Sequence, residues 1–271
     1  MTTIAQPSMR PRGFPGASAL RSRALPPASA LLIVGLLWEI AGRTLELPLS
    51  VAVPSEILAE LLGSPQTLWN NVLPTILGAV AGFLIASTAA ILLASVTAMI
   101  PRTSGATYTG AVLLQALPLI ALSPVLIVII GTGPEIRVII AAIAGFFPIL
   151  VACIQGVRQV NRTTDELFTQ LNTTRWQRFR YLQVPGALPY VFAGLRVSAS
   201  AAVLGAILSE WAGANEGLGV AMIYAMSSFN PPALWMYILL STVMSLTFYM
   251  LVAAAERRII RWSADRGGAG S

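Results

Sequence analysis

The chain has 271 residues, of which 56% are hydrophobic and 10% charged, with a mean hydropathy of +0.75 and a formal net charge of +6. A soluble domain of this length does not carry so much apolar surface, so the composition selects a multi-spanning membrane protein. All 17 basic residues are arginine and histidine is absent, which excludes a phosphate-loop lysine, a lysine Schiff base, an imidazole base and a histidine metal site.

Residues 1–26 place Arg10, Arg12, Arg21 and Arg23 among Pro7, Pro11, Pro15 and Pro26. They offer no periodic apolar face and are expected to form a disordered cytosolic tail. The stretch resembles the basic region of a secretory signal, but no small-residue cleavage pattern follows, so an uncleaved first helix is expected. A bilayer core takes roughly 20 helical residues to cross. On that measure the apolar runs at 27–44, 72–100, 106–130, 136–157, 190–209 and 233–255 give six expected spans, with a second cytosolic tail at 263–271. Glu39, within the first run, either reaches the outer headgroups or pairs inside.

In the second run Gly78 and Gly82 have the spacing that lets helices approach closely, within the chain or between two copies. The third run contains Gln115, Pro118, Ser123 and Pro124. Prolines free carbonyls that a bilayer cannot satisfy, and such breaks persist only against protein or water, so these four residues are candidates for a solute pathway. Gln155 and Arg196 either line the same pathway or bridge helices and snorkel to the interface. Cys153, the single cysteine, cannot form an internal disulfide and reads as a small buried hydrophobe.

Between the fourth and fifth runs lies a polar interruption, 158–189, with Arg158, Arg162, Arg175, Arg178 and Arg180. Thr163 with Glu166, and Thr174 with Gln177, fit two capping boxes, and Asn172 between them tolerates the left-handed conformation that ends a helix. Two short helices with a tight turn are expected. Leu167, Phe168 and Leu171 give the first an apolar face, and Trp176, Phe179 and Leu182 give one to the second. Pro185 and Pro189 are expected to stop the second helix before the fifth span. From periodicity alone the hairpin is either an amphipathic element on the headgroups or a docking site for another protein.

Glu210, Trp211 and Glu216 stand at the far end of the fifth run with Gly213, Gly217 and Gly219. They read either as an outer gate or partner contact, or as ordinary interfacial anchors. Arginine placement orients the chain. With the N-terminus in the cytosol, the inner side receives the tail arginines, Arg102, the five loop arginines, and Arg257, Arg258, Arg261 and Arg266, while the outer side receives only Arg43 and Arg137. That asymmetry puts both termini in the cytosol. Arginines gathered in loops, not along one stripe, also argue against nucleic acid as a partner.

The run from Asp165-Glu166-Leu167-Phe168 through Asn172 to Val184-Pro185 and Leu188-Pro189 resembles the EAA loop of binding-protein-dependent ABC transporter permeases. There, Glu-Ala-Ala, three residues and a Gly precede a Leu-Pro. Glu166 falls on the family's glutamate, Asn172 on its glycine and Val184-Pro185 on its Leu-Pro; Leu167 and Phe168 replace its two alanines and alter the surface offered to a partner's groove. The resemblance extends over 53–262. Val53-Pro54-Ser55, the Pro-rich stretch from Ala116 to Pro124, and Ser209-Glu210-Trp211 are similar to segments of nitrate, sulfonate and taurine-type permeases.

The resemblance implies an all-α membrane protein of the type I importer (MetI-like) permease fold over 27–262, with six transmembrane helices in a bacterial inner membrane. It implies a second permease copy, two ATPase subunits docked on the 158–189 loop, and an extracytoplasmic binding protein. The implied coupling residues are Asp165, Glu166, Leu167, Phe168, Leu171, Asn172, Thr174, Arg175, Trp176 and Pro185. The chain itself is expected to bind no cofactor and to catalyse nothing, with ATP and Mg held by the ATPase. An ion-gradient-driven secondary transporter is the alternative, against which both aspartates, Asp165 and Asp265, fall in cytosolic stretches. An intramembrane enzyme lacks a histidine or an intramembrane aspartate. The solute is expected to be a small organic molecule or anion. The stretch from Gly205 to Gly219 looks somewhat closer to permeases for thiamine-precursor pyrimidines or riboflavin-like heterocycles than to those for nitrate or taurine.

Overall fold

The computed structural model describes residues 17–45, 50–63, 65–116, 118–159 and 162–260, and for 17–28, 101 and 162 the backbone alone. Apolar runs become helices because a bilayer leaves backbone groups no partner outside their own segment. In chain order these are α1 (Ala17–Thr44), α2 (Pro54–Gly63), α3 (Pro65–Met99), α4 (Pro101–Gln115), α5 (Leu119–Ile130), α6 (Pro134–Arg158), α7 (Arg162–Gln170), α8 (Arg175–Arg178), a π turn (Phe179–Gln183), α9 (Val184–Trp211), α10 (Leu218–Ser227) and α11 (Pro231–Ile259). Five of them, α2, α3, α4, α6 and α11, begin with proline, whose missing N–H costs nothing in a first turn.

α6 is the central element, packed along α3 on one side and α9 on the other. The contacts run through small residues. A Cβ on Gly205 would stand 2.8 Å from the Ala144 Cβ and 2.9 Å from the Ile140 carbonyl oxygen, and one on Gly82 would stand 2.8 Å from the Val138 carbonyl oxygen. Lipid tails are as apolar as these faces, so van der Waals contact at close range holds the helices together. The Gly78 and Gly82 spacing therefore serves packing within the chain. α2 ties back to α1 through Glu39, which accepts from Arg43 Nε at 2.6 Å and from the Ser55 amide at 3.0 Å. Glu39 is thus paired, with Arg43 largely exposed beside it.

Four helical stretches, Pro65–Met99, Pro134–Arg158, Arg175–Trp211 and Pro231–Ile259, are each long and apolar enough to cross a bilayer, and α4 with α5 makes a fifth, bent by 90°. α1, which contains the expected run 27–44, is not among these stretches, so five of the six expected spans are matched. Several expectations need correction. α1 begins at Ala17, so residues 17–26 are helical and not a disordered tail, as the alanines, leucines and arginines of 17–25 favour; residues 1–16 and 261–271 lie outside the described residues. α10 was not foreseen, because its 10 residues are too few to register as a span. Pro185 and Pro189 do not stop a helix: Arg175–Trp211 runs on as 37 residues. The π turn accounts for this. Its Val184 amide bonds the Phe179 carbonyl five residues back, and that wider turn gives the Pro185 ring room without a ladder bond.

Candidate functional site

Polar chemistry gathers at the two ends of the α6–α9 pair. At one end is the α7–α8 hairpin. α7 closes on Asn172, whose φ of +50° lies in the left-handed region that asparagine tolerates. The Asn172 amide donates to the Thr169 carbonyl and the Thr173 amide to the Phe168 carbonyl, the paired bonds of a Schellman motif. Two residues later Thr174 caps α8 reciprocally with Gln177: the Gln177 amide donates to Thr174 Oγ1 at 3.3 Å and the Thr174 amide to Gln177 Oε1 at 2.8 Å. α7 starts at Arg162, which puts Thr163 inside its first turn.

Asp165 forms an ion pair with Arg178, fixing α7 against α8 across the turn. Arg178 was not foreseen for this role, since 13 residues separate the partners. Arg158 at the hairpin's base donates to Ser104 of α4 at 3.3 Å and lies over the Tyr108 ring. The apolar faces are open: Leu167, Leu171 and Trp176 are 50%, 64% and 57% exposed, while Phe168 and Phe179 are half-buried. Glu166 and Arg175 are exposed beside them. Pro185 sits in the first turn of α9.

At the opposite end is a buried polar clamp. Glu210 of α9, fully buried, accepts from Thr75 Oγ1 of α3 at 2.7 Å and from the Gly219 amide of α10 at 2.7 Å. Thr75 Oγ1 in turn accepts from the Leu218 amide at 2.9 Å. Arg137 of α6 places Nε 3.0 Å from Glu210 Oε1, an ion pair without hydrogen-bond alignment, and donates through Nη2 to the Glu216 carbonyl at 2.9 Å. Four helices therefore meet on one carboxylate. Glycines make the room: a side chain at 78 would collide with Arg137, and one at 217, where φ is +122°, with the Glu210 carboxylate. The orphan amides at the start of α10 supply part of the compensation that a buried anion requires.

Arg137 is the main correction at this end. The orientation argument assigns it to the outer side, at the start of the run 136–157, and the structure buries it there against Glu210. The readable signal was opposite charges at the same depth in two apolar runs. Glu216 and Trp211 remain exposed, and the Glu216 carboxylate stands 4.0 Å from Arg137 Nη1. In the bent pair, Gln115, Pro118 and Pro124 lie on the exposed surface, but Ser123 is buried and bonds the Leu119 carbonyl of its own helix. Gln155 donates to the Tyr108 hydroxyl at 3.0 Å and so bridges α6 to α4. Among the described residues no group of three potential metal ligands converges.

Residues 90–261 match the family described as binding-protein-dependent transport system inner membrane component. The chain belongs to that family. It is an ABC importer permease, and its matched stretch contains the whole hairpin and every clamp side chain except Thr75. It is similar to the formylaminopyrimidine transport permease ThiX of Halalkalibacterium halodurans, with 30% identity over 89% of this chain and 96% of that one. It is similar to the riboflavin transport system permease RibX of Chloroflexus aurantiacus, with 32% identity over 56% of each. The taurine permease TauC of Escherichia coli shares 22% identity over 84% of this chain and 86% of that protein. The permease is thus a multi-pass, all-helical membrane protein and a transport subunit.

Proposed function

We propose that this subunit forms the solute pathway of an ATP-driven importer and is moved by separate ATPase subunits docked on the α7–α8 hairpin. The observation that carries the reading is continuity. α8, the π turn and α9 form one helical stretch, Arg175–Trp211, so a force on Trp176 or Arg175 is delivered straight into a span. Exposed Leu167, Leu171 and Trp176 give an ATPase groove apolar anchors, and exposed arginines give it charge to steer by. At the far end, the clamp joins α9 to α3, α6 and α10, so a tilt of α9 reaches the opposite surface.

In this reading α1, α3, the α4–α5 pair, α6, α9 and α11 are six spans with both termini in the cytosol of a bacterial inner membrane. The permease domain covers 27–262. A second copy completes the pathway, two ATPase subunits hold ATP and Mg, and an extracytoplasmic binding protein delivers solute to the surface near Glu216 and Trp211. Gln115, Pro118 and Pro124 stand on the open face of the bent pair. The solutes named for two of the relatives, formylaminopyrimidine and riboflavin, favour a small heterocycle over a sulfonate.

The test is reconstitution of the permease in vesicles with its ATPase and binding protein. ATP on the hairpin side is expected to drive accumulation of solute, and a proton or sodium gradient alone is expected to drive none. Accumulation by the isolated subunit under an ion gradient overturns the proposal.

A further inference from the structure

Of the grooves along α11, two differ in the chemistry of their linings. The one against α3, of about 520 Å³, is aliphatic and aromatic, with Thr247 its one hydroxyl. Acyl chains suit it. The one against α9, of about 450 Å³, sets Ser200 on one wall and Ser241, Thr242, Ser245 and Tyr249 on the other among Val203, Leu204, Ile207 and Leu246, so hydroxyls interrupt a mainly apolar lining. On α9 the residues 196, 200, 203 and 207 share one helical face, and on α11 so do 241, 245, 249 and 256. The polar stripe thus runs on to Arg196, which pairs with Glu256 at 3.4 Å and lies 5.9 Å from the Tyr249 ring centroid.

Hydroxyls in a span normally bond a carbonyl of the preceding turn. Ser241 and Thr242 do so, both donating to the Ile238 carbonyl, and keep free lone pairs as acceptors. Ser200, Ser245 and Tyr249 have no hydrogen-bond partner among the described residues. Hydrocarbon leaves such groups unsatisfied. Water or a hydrogen-bonding solute satisfies them. Glu256 neutralises the charge of Arg196, so the groove as a whole attracts neither anions nor cations.

We infer that this groove between α9 and α11 is a wetted solute-binding surface of the permease, recognising small uncharged molecules that hydrogen-bond at their edges and are apolar on their faces. The hydroxyl walls bond the edges while Val203 and Ile207 lie against the faces. The inference rests on the permease reading and moves the solute contacts from the bent α4–α5 pair to α9 and α11. A sulfonate is a poor fit, because it needs an arginine that is not already paired.

Cysteine accessibility tests it. Cys153 is buried, so the full complex with ATPase, carrying Cys153→Ala, is a silent background. Ser200→Cys and Ser245→Cys are expected to react with a hydrophilic methanethiosulfonate at least tenfold faster than Val243→Cys and Leu251→Cys, which are exposed on the lipid side of α11. Equal rates overturn the inference, as does a Ser245→Cys crosslink between two copies with no aqueous labelling. Ser245→Leu is expected to lower uptake at least fivefold in a complex that still assembles with the ATPase; unchanged uptake counts against the site. Calorimetry of the binding protein against riboflavin, a formylaminopyrimidine and taurine is expected to select an uncharged heterocycle, and selection of taurine overturns the proposed class. Loss of ATPase association in the background sample identifies failure of the permease reading instead.

Discussion

Glu210 is held by partners on three other helices. A carboxylate with no exposed surface is tolerable only when its lone pairs and charge are both matched, and here Thr75, the Gly219 amide and Arg137 match them. Removing Arg137 leaves the anion uncompensated, and breaking a buried pair by removing one partner costs about 3–5 kcal/mol. Removing both charges together costs less than the sum, since nothing charged is left buried. Arg137→Met and Glu210→Leu alone are therefore expected to lower the melting temperature of the detergent-solubilised permease more than the double variant lowers it. Thermal unfolding followed by fluorescence or circular dichroism reads the cycle. Additive losses would show that the two side chains are held by their separate neighbours and not by each other.

At the scale of elements, the hairpin is stiff because each of its joints is closed by local bonds. Asn172 holds the turn at φ +50°, where a β-branched residue costs about 1–3 kcal/mol and glycine almost nothing. Asn172→Gly is expected to keep the number of solute molecules moved per ATP hydrolysed near that of the parent. Asn172→Val is expected to lower that ratio severalfold without lowering hydrolysis, because the misaligned helices bind the ATPase but transmit its movement poorly. Simultaneous measurement of hydrolysis and uptake checks this. The same joints explain what was legible in the sequence. The turn at Asn172 and the Thr174–Gln177 cap depend on residues within five positions of one another, so local rules found them. Continuity through Pro185 was not legible, because the π turn that admits the proline leaves no compositional mark. The clamp was hidden for a different reason: Thr75 and Glu210 are 135 residues apart, and no local rule joins them.

For the whole molecule the decisive quantity is orientation, because the hairpin reaches an ATPase only from the cytosol. The structure sharpens the arginine argument. Arg137 is buried against Glu210 and Arg43 is paired with Glu39, so neither expected outer arginine is an unmatched charge. Arg102, Arg175, Arg180, Arg257 and Arg258, all on the hairpin side of the spans, are exposed with no acidic partner at ion-pair distance among the described residues. In the proposed reading, positive charge held near span ends on one side marks that side as the cytosolic one. A fluorescent protein fused after Ser271 is therefore expected to fluoresce, and alkaline phosphatase at the same place to be inactive. Inserted at Asn215, between α9 and α10, the two reporters are expected to exchange behaviours, since the first folds only in the cytosol and the second only outside it. Active phosphatase at Ser271 would place the hairpin on the outer side, where no ATP is available, and would remove the energy source from the proposed mechanism whatever the fit between Trp176 and a partner's groove.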